Sequence, residues 1–70
     1  MLVKHLGQHI KDRRKELGIT QPHLAELAGI STNTLYKIEL GKANPTLEVL
    51  NSLTEVLGME LKLEVKTMVN

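Results

Sequence analysis

The sequence predicts a small, mainly α-helical domain of four helices followed by one β-strand. Three observations indicate this fold class. Apolar residues recur at intervals of three and four along most of the chain, which is the spacing of an amphipathic helix. Residues that cap helix N-termini, at Thr20, Ser31 and Thr46, alternate with glycines that can end a helix. Residues 59–66 instead alternate strictly between apolar and charged side chains, which is the period of a strand.

The first helix is expected from about Val3 to Leu17, with Gly18 as its end. Its apolar stripe comprises Val3, Leu6, Ile10 and Leu17. Arg14 follows Ile10 by four residues, so its side chain is expected at the edge of the stripe, pointing partly inward. The helix should therefore pack on the rest of the domain through one face.

Residues 20–42 contain two short helix patterns joined by a tight turn. The inward face of the first is expected to comprise Leu24, Leu27 and Ala28. Gly29 ends this helix, and only Ile30 separates it from Ser31, the cap of the second. Helices joined so closely must cross steeply. This is the helix-turn-helix unit, whose second helix enters a major groove of DNA.

In the second pattern Leu35 and Ile38 are predicted to face inward, and Gly41 ends the helix. The opposite face then carries four hydrogen-bonding side chains: Thr32, Asn33, Tyr36 and Lys37. Asparagine, lysine and threonine can contact base edges in a major groove, and tyrosine can contact a phosphate oxygen. On an arbitrary helix such a face is merely solvated. The tight turn before this helix favours DNA contact.

The turn-rich segment 42–45 leads to Thr46, the cap of a fourth helix that ends at Gly58. Its inward face is predicted to comprise Leu47, Leu50, Leu53 and Leu57, widened by Val49 and Val56. Lys42 and Asn44, which precede the helix, are expected to face the DNA backbone.

The segment 59–66 is predicted to be a strand whose apolar face comprises Leu61, Leu63 and Val65. No other segment has a strand pattern, and a lone strand leaves its backbone unpaired. The same strand of a second chain is the simplest partner. Antiparallel pairing about a two-fold axis can set Glu60 or Glu64 against a lysine, Lys62 or Lys66. A homodimer is therefore expected, and a disordered tail is the alternative.

Several segments in register resemble the Cro and λ-repressor type of DNA-binding domain, also called the Xre family, over about Leu6 to Leu57. The matching segments are Thr20-Gln21, Ala25, Ala28-Gly29-Ile30-Ser31, Ile38-Glu39, Gly41-Lys42 and Asn44-Pro45-Thr46. The resemblance implies a λ-repressor-like four-helix bundle that binds double-stranded DNA. Leu40 departs from the pattern because many members carry asparagine or arginine there. One phosphate contact is therefore expected to be missing.

The resemblance also implies roles for individual residues. It implies base reading by Thr32, Asn33 and Lys37. It implies contacts with the phosphate backbone by Gln21, Ser31 and Lys42. Two further phosphate contacts are expected from the sequence pattern: Tyr36, on the exposed face of the third helix, and Asn44, in the turn after it. Finally, it implies a structural ion pair between Arg14 and Glu39 that ties the first helix to the end of the third.

The composition fits a single small DNA-binding domain. The chain has 70 residues and no cysteine, so disulfides and thiolate metal sites are excluded. Its single aromatic residue, Tyr36, cannot build a base-stacking platform for single strands. Residues 1–42 carry seven basic and four acidic side chains, a net charge of +3, whereas residues 43–70 carry two and four, a net charge of −2. Positive charge therefore accompanies the helix-turn-helix, as phosphate binding requires.

Catalytic and metal sites are not expected. His5 and His9 are four residues apart, but nothing nearby completes the three or four ligands of a metal site. No histidine is spaced with a nucleophile or a paired carboxylate. The chain is therefore expected to be no enzyme and to need no cofactor.

The sequence predicts a dimeric transcriptional repressor that is cytoplasmic and associated with the nucleoid. Its expected units are a DNA-binding domain at residues 1–58, a dimerisation strand at 59–66 and a flexible tail at 67–70. An antitoxin that binds a toxin protein and regulates its own operon is an alternative. A protein-interaction module that has lost DNA binding is another, since Leu40 and the low net charge of +1 favour it.

Overall fold

The computed structural model describes the backbone of residues 2–65 and the side chains of residues 5–65. Within that range the chain forms four helices: α1 (Leu2–Glu16), α2 (Gln21–Ala28), α3 (Thr32–Glu39) and α4 (Leu47–Leu57). Helices α1 and α2 each pack against both α3 and α4. The prediction of a mainly helical, four-helix domain is confirmed. None of the helices in the described range has the length and apolar character that crossing a membrane requires.

Local capping fixes where three of the helices begin. In each case a side-chain oxygen of the cap accepts a hydrogen bond from a backbone N–H in the first turn: Thr20 from His23 (3.2 Å), Ser31 from Thr34 (3.1 Å) and Thr46 from Val49 (3.1 Å). These bonds satisfy donors that a helix leaves unpaired at its start. The predicted starts of α2, α3 and α4 are therefore confirmed.

The core is aliphatic and is supplied by all four helices. Its buried members are Ile10, Leu24, Ala25, Leu35, Ile38, Leu50, Leu53 and Leu57. Three predicted core residues are exposed: Leu17 (43%), which follows the last residue of α1, Leu27 (54%) and Leu47 (77%). The predicted members Leu6, Ala28, Val49 and Val56 are partly buried against the core. The buried face of α2 includes Leu24 and Ala25, and at about 100° per residue this rotates Leu27 out of it. Leu47 stands at the start of α4, to one side of the face formed by its other leucines.

The predicted strand is not seen in the single chain, because residues 59–65 have no regular secondary structure. Leu61 is partly covered, whereas Leu63 and Val65 are fully exposed, so most of the predicted apolar face is not buried in the single chain. The physical reason is that a strand needs a neighbouring strand for its backbone hydrogen bonds, and residues 2–65 of one chain provide none. Lys66 and the predicted tail at 67–70 lie outside the described residues, as does the side chain of Val3.

Candidate nucleic-acid interface

The turn between α2 and α3 holds the two helices in a fixed crossing. Gly29 adopts φ +74°, a left-handed conformation that glycine reaches without a Cβ clash. The N–H of Ile30 then donates to the carbonyl oxygen of Ala25 at 2.9 Å. The Ile30 side chain also packs against the core. Backbone hydrogen bonds and apolar contacts thus join the end of α2 to the start of α3.

Helix α3 presents one apolar and one polar face. Leu35 and Ile38 are buried, as the spacing predicted. The other face is exposed and carries Thr32, Asn33, Tyr36 and Lys37. The structure therefore brings the three predicted base-reading residues together on one accessible side of α3. Side chains of this kind, on the second helix of such a unit, can contact base edges and phosphates.

The end of α3 is tied to α1 by an ion pair between Arg14 and Glu39. The arginine Nε donates to Glu39 Oε2 at 2.7 Å, and its Nη2 donates to Oε1 at 3.0 Å. Both residues are buried, and Nη1 of Arg14 also donates to the carbonyl oxygen of Ile19 at 2.9 Å. The hydrogen bonds to Glu39 raise the pKa of Arg14 above its ordinary value, against the opposing effect of burial. The pair is bidentate, the geometry in which an arginine is most strongly oriented.

The side chain of Gln21 belongs to the same network. Its Nε2 donates to Oε1 of Glu39 at 2.9 Å, so the residue expected to bind phosphate is positioned by the ion pair. An amide nitrogen carries two hydrogens, and a second donor therefore remains on this atom for a phosphate oxygen. Helices α1, α2 and α3 are thus linked through the carboxylate of Glu39.

Gly7 permits the close contact between α1 and α3, a role that was not predicted from the sequence. Glycine 7 is buried, and a Cβ placed on it would overlap the carbonyl oxygen of Ile38 and lie 3.0 Å from that of Glu39. A glycine in the middle of a helix ordinarily weakens it. Its position one residue after Leu6 and three before Ile10 was the available signal, since an isolated glycine beside an apolar stripe indicates close packing.

We expect Gly7→Ala to destabilise the domain, although alanine is the better helix former. The overlap involves backbone atoms, which a change of rotamer cannot relieve, and overpacking typically costs about 1–3 kcal/mol. Urea denaturation would measure the free energy of unfolding. His9→Ala, at an exposed position of the same helix, is the matched control and should change it by less than about 0.5 kcal/mol. A stabilised Gly7→Ala variant would mean that α1 does not approach α3 this closely.

The remaining predicted phosphate contacts lie at the two ends of α3. Ser31 caps the helix, and its hydroxyl also donates to Oγ1 of Thr34 at 2.8 Å, so this group is already engaged in the fold. At the other end, the backbone N–H of Lys42 donates to the carbonyl oxygen of Lys37 at 2.9 Å. The side chains of Lys42 and Asn44 are exposed. The segment after α3 is therefore anchored to the helix while its polar side chains stay accessible.

Both arginines of the chain stabilise the fold. Nε of Arg13 donates to the carbonyl oxygen of Leu57 at 2.9 Å, next to the C-terminal end of α4, where positive charge is favourable. Arg14 is neutralised by Glu39. Lys37 and Lys42 are the exposed cations on and just after α3, so they are the ones placed for attraction to phosphates.

The described surroundings of the histidines provide no metal site. Among the residues that the structure describes, no three histidine, cysteine, aspartate or glutamate side chains are close enough to hold a metal ion. His5, His9 and His23 are all exposed.

Comparison with known proteins connects this geometry to a family. A sequence model of the helix-turn-helix family matches residues 10–63. An uncharacterized HTH-type transcriptional regulator of Methanothermobacter thermautotrophicus is 39% identical over 51 residues, which cover 73% of this chain and 74% of that protein. The immunity repressor protein of Bacillus phage phi105 is 41% identical over 56 residues, covering 80% of this chain but only 39% of the repressor.

A solved structure has the same fold. The clp gene regulator ClgR from Corynebacterium glutamicum superposes with a TM-score of 0.82 at 30% sequence identity, covering 84% of this chain and 63% of that one. The relatives compared are transcriptional regulators and a repressor, and none of them is described as an antitoxin. The antitoxin alternative therefore has no support.

Proposed function

Because the chain belongs to the helix-turn-helix family of DNA-binding transcriptional regulators, we propose that it acts as a dimeric repressor that reads its operator with α3. The observation that supports this most strongly is the exposed polar face of α3, which follows the tight turn of a helix-turn-helix. The relative described as an immunity repressor supports repression. Regulation of this kind takes place on the nucleoid in the cytoplasm, and catalysis is no part of the proposal.

In this proposal the N-terminal part of α3 lies in the major groove. Asn33 pairs with the edge of an adenine, Lys37 donates to O6 or N7 of a guanine, and Thr32 contacts a base or a thymine methyl group. Contacts with the sugar-phosphate backbone come from Gln21, Tyr36, Lys42 and Asn44. Ser31 makes a further contact when its hydroxyl turns from Oγ1 of Thr34 to a phosphate oxygen. The base contacts supply specificity, while the phosphate contacts fix the position of α3 along the groove.

The hydrogen bonds that fix α3 relative to α1 and α2 favour the recognition of bases by α3. Arg14 and Glu39 join α3 to α1, and Gln21 joins the same carboxylate from the start of α2. A side chain that contacts phosphate is thus held in a fixed relation to the side chains that contact bases. Preorganisation of this kind lowers the cost of ordering the interface when DNA binds.

Dimerisation aligns two such domains on one duplex. In the proposal, segment 59–66 becomes a strand by pairing with its counterpart in a second chain, which covers Leu61, Leu63 and Val65. Two domains related by a two-fold axis read a palindrome whose half-sites are about one helical turn apart. The bound dimer then represses by occupying promoter DNA.

Substitutions on the two kinds of contact should have different effects. Asn33→Ala and Lys37→Ala should each relax base preference at one position in every half-site, at a cost of about 1–3 kcal/mol per lost contact. Gln21→Ala should weaken binding to all sequences alike. The measurement is the affinity of each variant for a specific duplex and for duplexes that carry the other base pairs at each position.

Thr34→Ala is a control within α3, at a site assigned no DNA contact. It keeps the Ser31 cap, whose Oγ accepts from the backbone N–H of residue 34, but removes the oxygen to which the Ser31 hydroxyl donates. Because Ser31 is assigned to phosphate and not to a base, the variant should leave base preference unchanged. If Asn33→Ala left both affinity and base preference unaltered, the proposed placement of α3 would be wrong.

A further inference from the structure

The segment after α4 carries a charge pattern that constrains how two chains can pair. Its four charges alternate in sign: Glu60, Lys62, Glu64 and Lys66. Nζ of Lys62 lies 3.9 Å from Oε1 of Glu60, so these two charged groups share one side of the segment. Leu63, between Lys62 and Glu64, is 104% exposed, and Val65, between Glu64 and Lys66, is 95% exposed. Directly opposite residues of an antiparallel pair lie on the same face of the sheet. Two copies can therefore pair edge to edge into a ribbon that has one apolar face and one charged face.

Charge distinguishes among the registers that satisfy this alternation. A two-fold axis through Lys62 or Glu64 sets like charges opposite each other, which is destabilising. An axis through Leu61 or Val65 leaves half of the charges in each segment without an opposite charge across the pair. These four registers are therefore disfavoured.

An axis through Leu63 gives every charge an opposite partner. Glu60 then faces the partner's Lys66, and Lys62 faces the partner's Glu64. On the other side, Leu63 faces the partner's Leu63, and Leu61 faces the partner's Val65. Among registers centred on one residue of the segment, it is the one that pairs all of the charges and all of these apolar residues.

An open apolar groove beside the segment is suited to receive this apolar face. Its volume is about 570 Å³, and its apolar lining comprises Leu6 from α1, Leu47 and Leu50 from α4, and Leu61 and Leu63. Leu47, the one leucine of α4 that is not buried in the core, is 77% exposed in this groove. The groove and the uncovered side chains of Leu63 and Val65 belong to the same chain, so two copies related by a two-fold axis can cover each other's apolar surface.

We propose that two chains pair through residues 59–66 as antiparallel strands with Leu63 on the two-fold axis, and that the apolar face of this ribbon closes over the groove at Leu6, Leu47 and Leu50. The inference rests on the dimer of the proposed function and specifies its interface. It assigns Leu47, which does not belong to the core, to the contact between the subunits.

Cysteine cross-linking tests the register without DNA. The chain has no cysteine, so each introduced thiol is unique. On the axis, the two Cα atoms of residue 63 would be about 4.5–5.5 Å apart, within the span of about 4.4–6.8 Å that a disulfide bridges. Under mild oxidation, Leu63→Cys should therefore convert most of the protein to a covalent dimer, as seen by non-reducing electrophoresis.

Leu61→Cys and Val65→Cys are the matched controls. In this register each residue is displaced by four positions from its own counterpart, about 14 Å along the strands, which is beyond disulfide reach. Neither variant should cross-link alone, but an equimolar mixture of the two should form the mixed disulfide, because residue 61 faces the partner's residue 65. Self-cross-linking of Leu61→Cys or Val65→Cys without that of Leu63→Cys would overturn the register.

Charge reversal provides a second test. Lys62→Glu sets two glutamates opposite each other at two symmetric places and should weaken the dimer several-fold in sedimentation equilibrium. The double variant Lys62→Glu/Glu64→Lys should restore it. A wild-type dimer that gives no cross-link in any cysteine variant, or a monomeric wild type, would overturn the inference. DNA binding by α3 is measured separately, so either result would leave the readout by α3 intact.

Discussion

Replacing Arg14 by methionine should lower the free energy of unfolding by about 3–5 kcal/mol, the usual cost of removing one partner of a buried ion pair. Glu39 is 5% exposed, and its carboxylate would keep only the hydrogen bond from Gln21. The remaining charge would be buried without a cation, which is costly. Guanidinium denaturation at neutral pH measures this change.

The double variant Arg14→Met/Glu39→Leu is the informative comparison. It removes both charges, so we expect it to be destabilised far less than the sum of its single variants. Some cost should remain, because the carbonyl oxygen of Ile19 and Nε2 of Gln21 would each lose a partner, at about 1 kcal/mol per hydrogen bond. Additive effects of the two single substitutions would show that the side chains do not interact.

Removing the segment that follows Glu60 should cause the largest loss of operator binding. A chain that ends at Glu60 keeps all four helices, the packing of Met59 on the core and the bond from its N–H to the Thr54 carbonyl oxygen. It loses the proposed intersubunit strands. Affinity for a two-half-site operator should then fall by about 100-fold or more. In the dimer, binding of one domain holds the second at a high effective concentration beside the other half-site, and unlinked domains lose this advantage. Sedimentation equilibrium should show a monomer or a much weaker dimer.

Binding to mixed-sequence duplex is the internal control for this truncation. Each domain keeps its phosphate contacts, so nonspecific affinity per domain should change little. The full-length variant Leu63→Lys addresses the same interface without shortening the chain, because it places a charge on the face that the dimer would bury. A truncated chain that still dimerises at micromolar concentration and binds its operator fully would exclude the strand as the interface.

The elements set by local interactions could be predicted from the sequence. Thr20, Ser31 and Thr46 start their helices through bonds to N–H groups within the first turn, so neighbouring residues suffice to predict them. The two faces of α3 followed from the spacing of Leu35 and Ile38 in the same way. The family resemblance indicated the pairing of Arg14 with Glu39, residues 25 positions apart, which periodicity alone could not join.

What the sequence did not predict depends on packing between elements. The contact at Gly7 requires knowing where α1 crosses the end of α3. Leu27 and Leu47 looked like core residues because helical periodicity marks apolar positions, but the faces that the neighbouring helices cover include Leu24 and Ala25 in α2 and Leu50 and Leu53 in α4. The strand prediction concerned a pairing between chains, and a single chain cannot form it.

The most direct test of specific DNA reading by α3 is selection of bound fragments from a pool of random duplexes. We expect the wild-type chain to enrich a palindromic motif with half-sites centred about 10 base pairs apart. The same selection with Asn33→Ala should return that motif with one base position per half-site degenerate. Failure of the wild type to enrich any motif, or an identical motif from both proteins, would contradict the account.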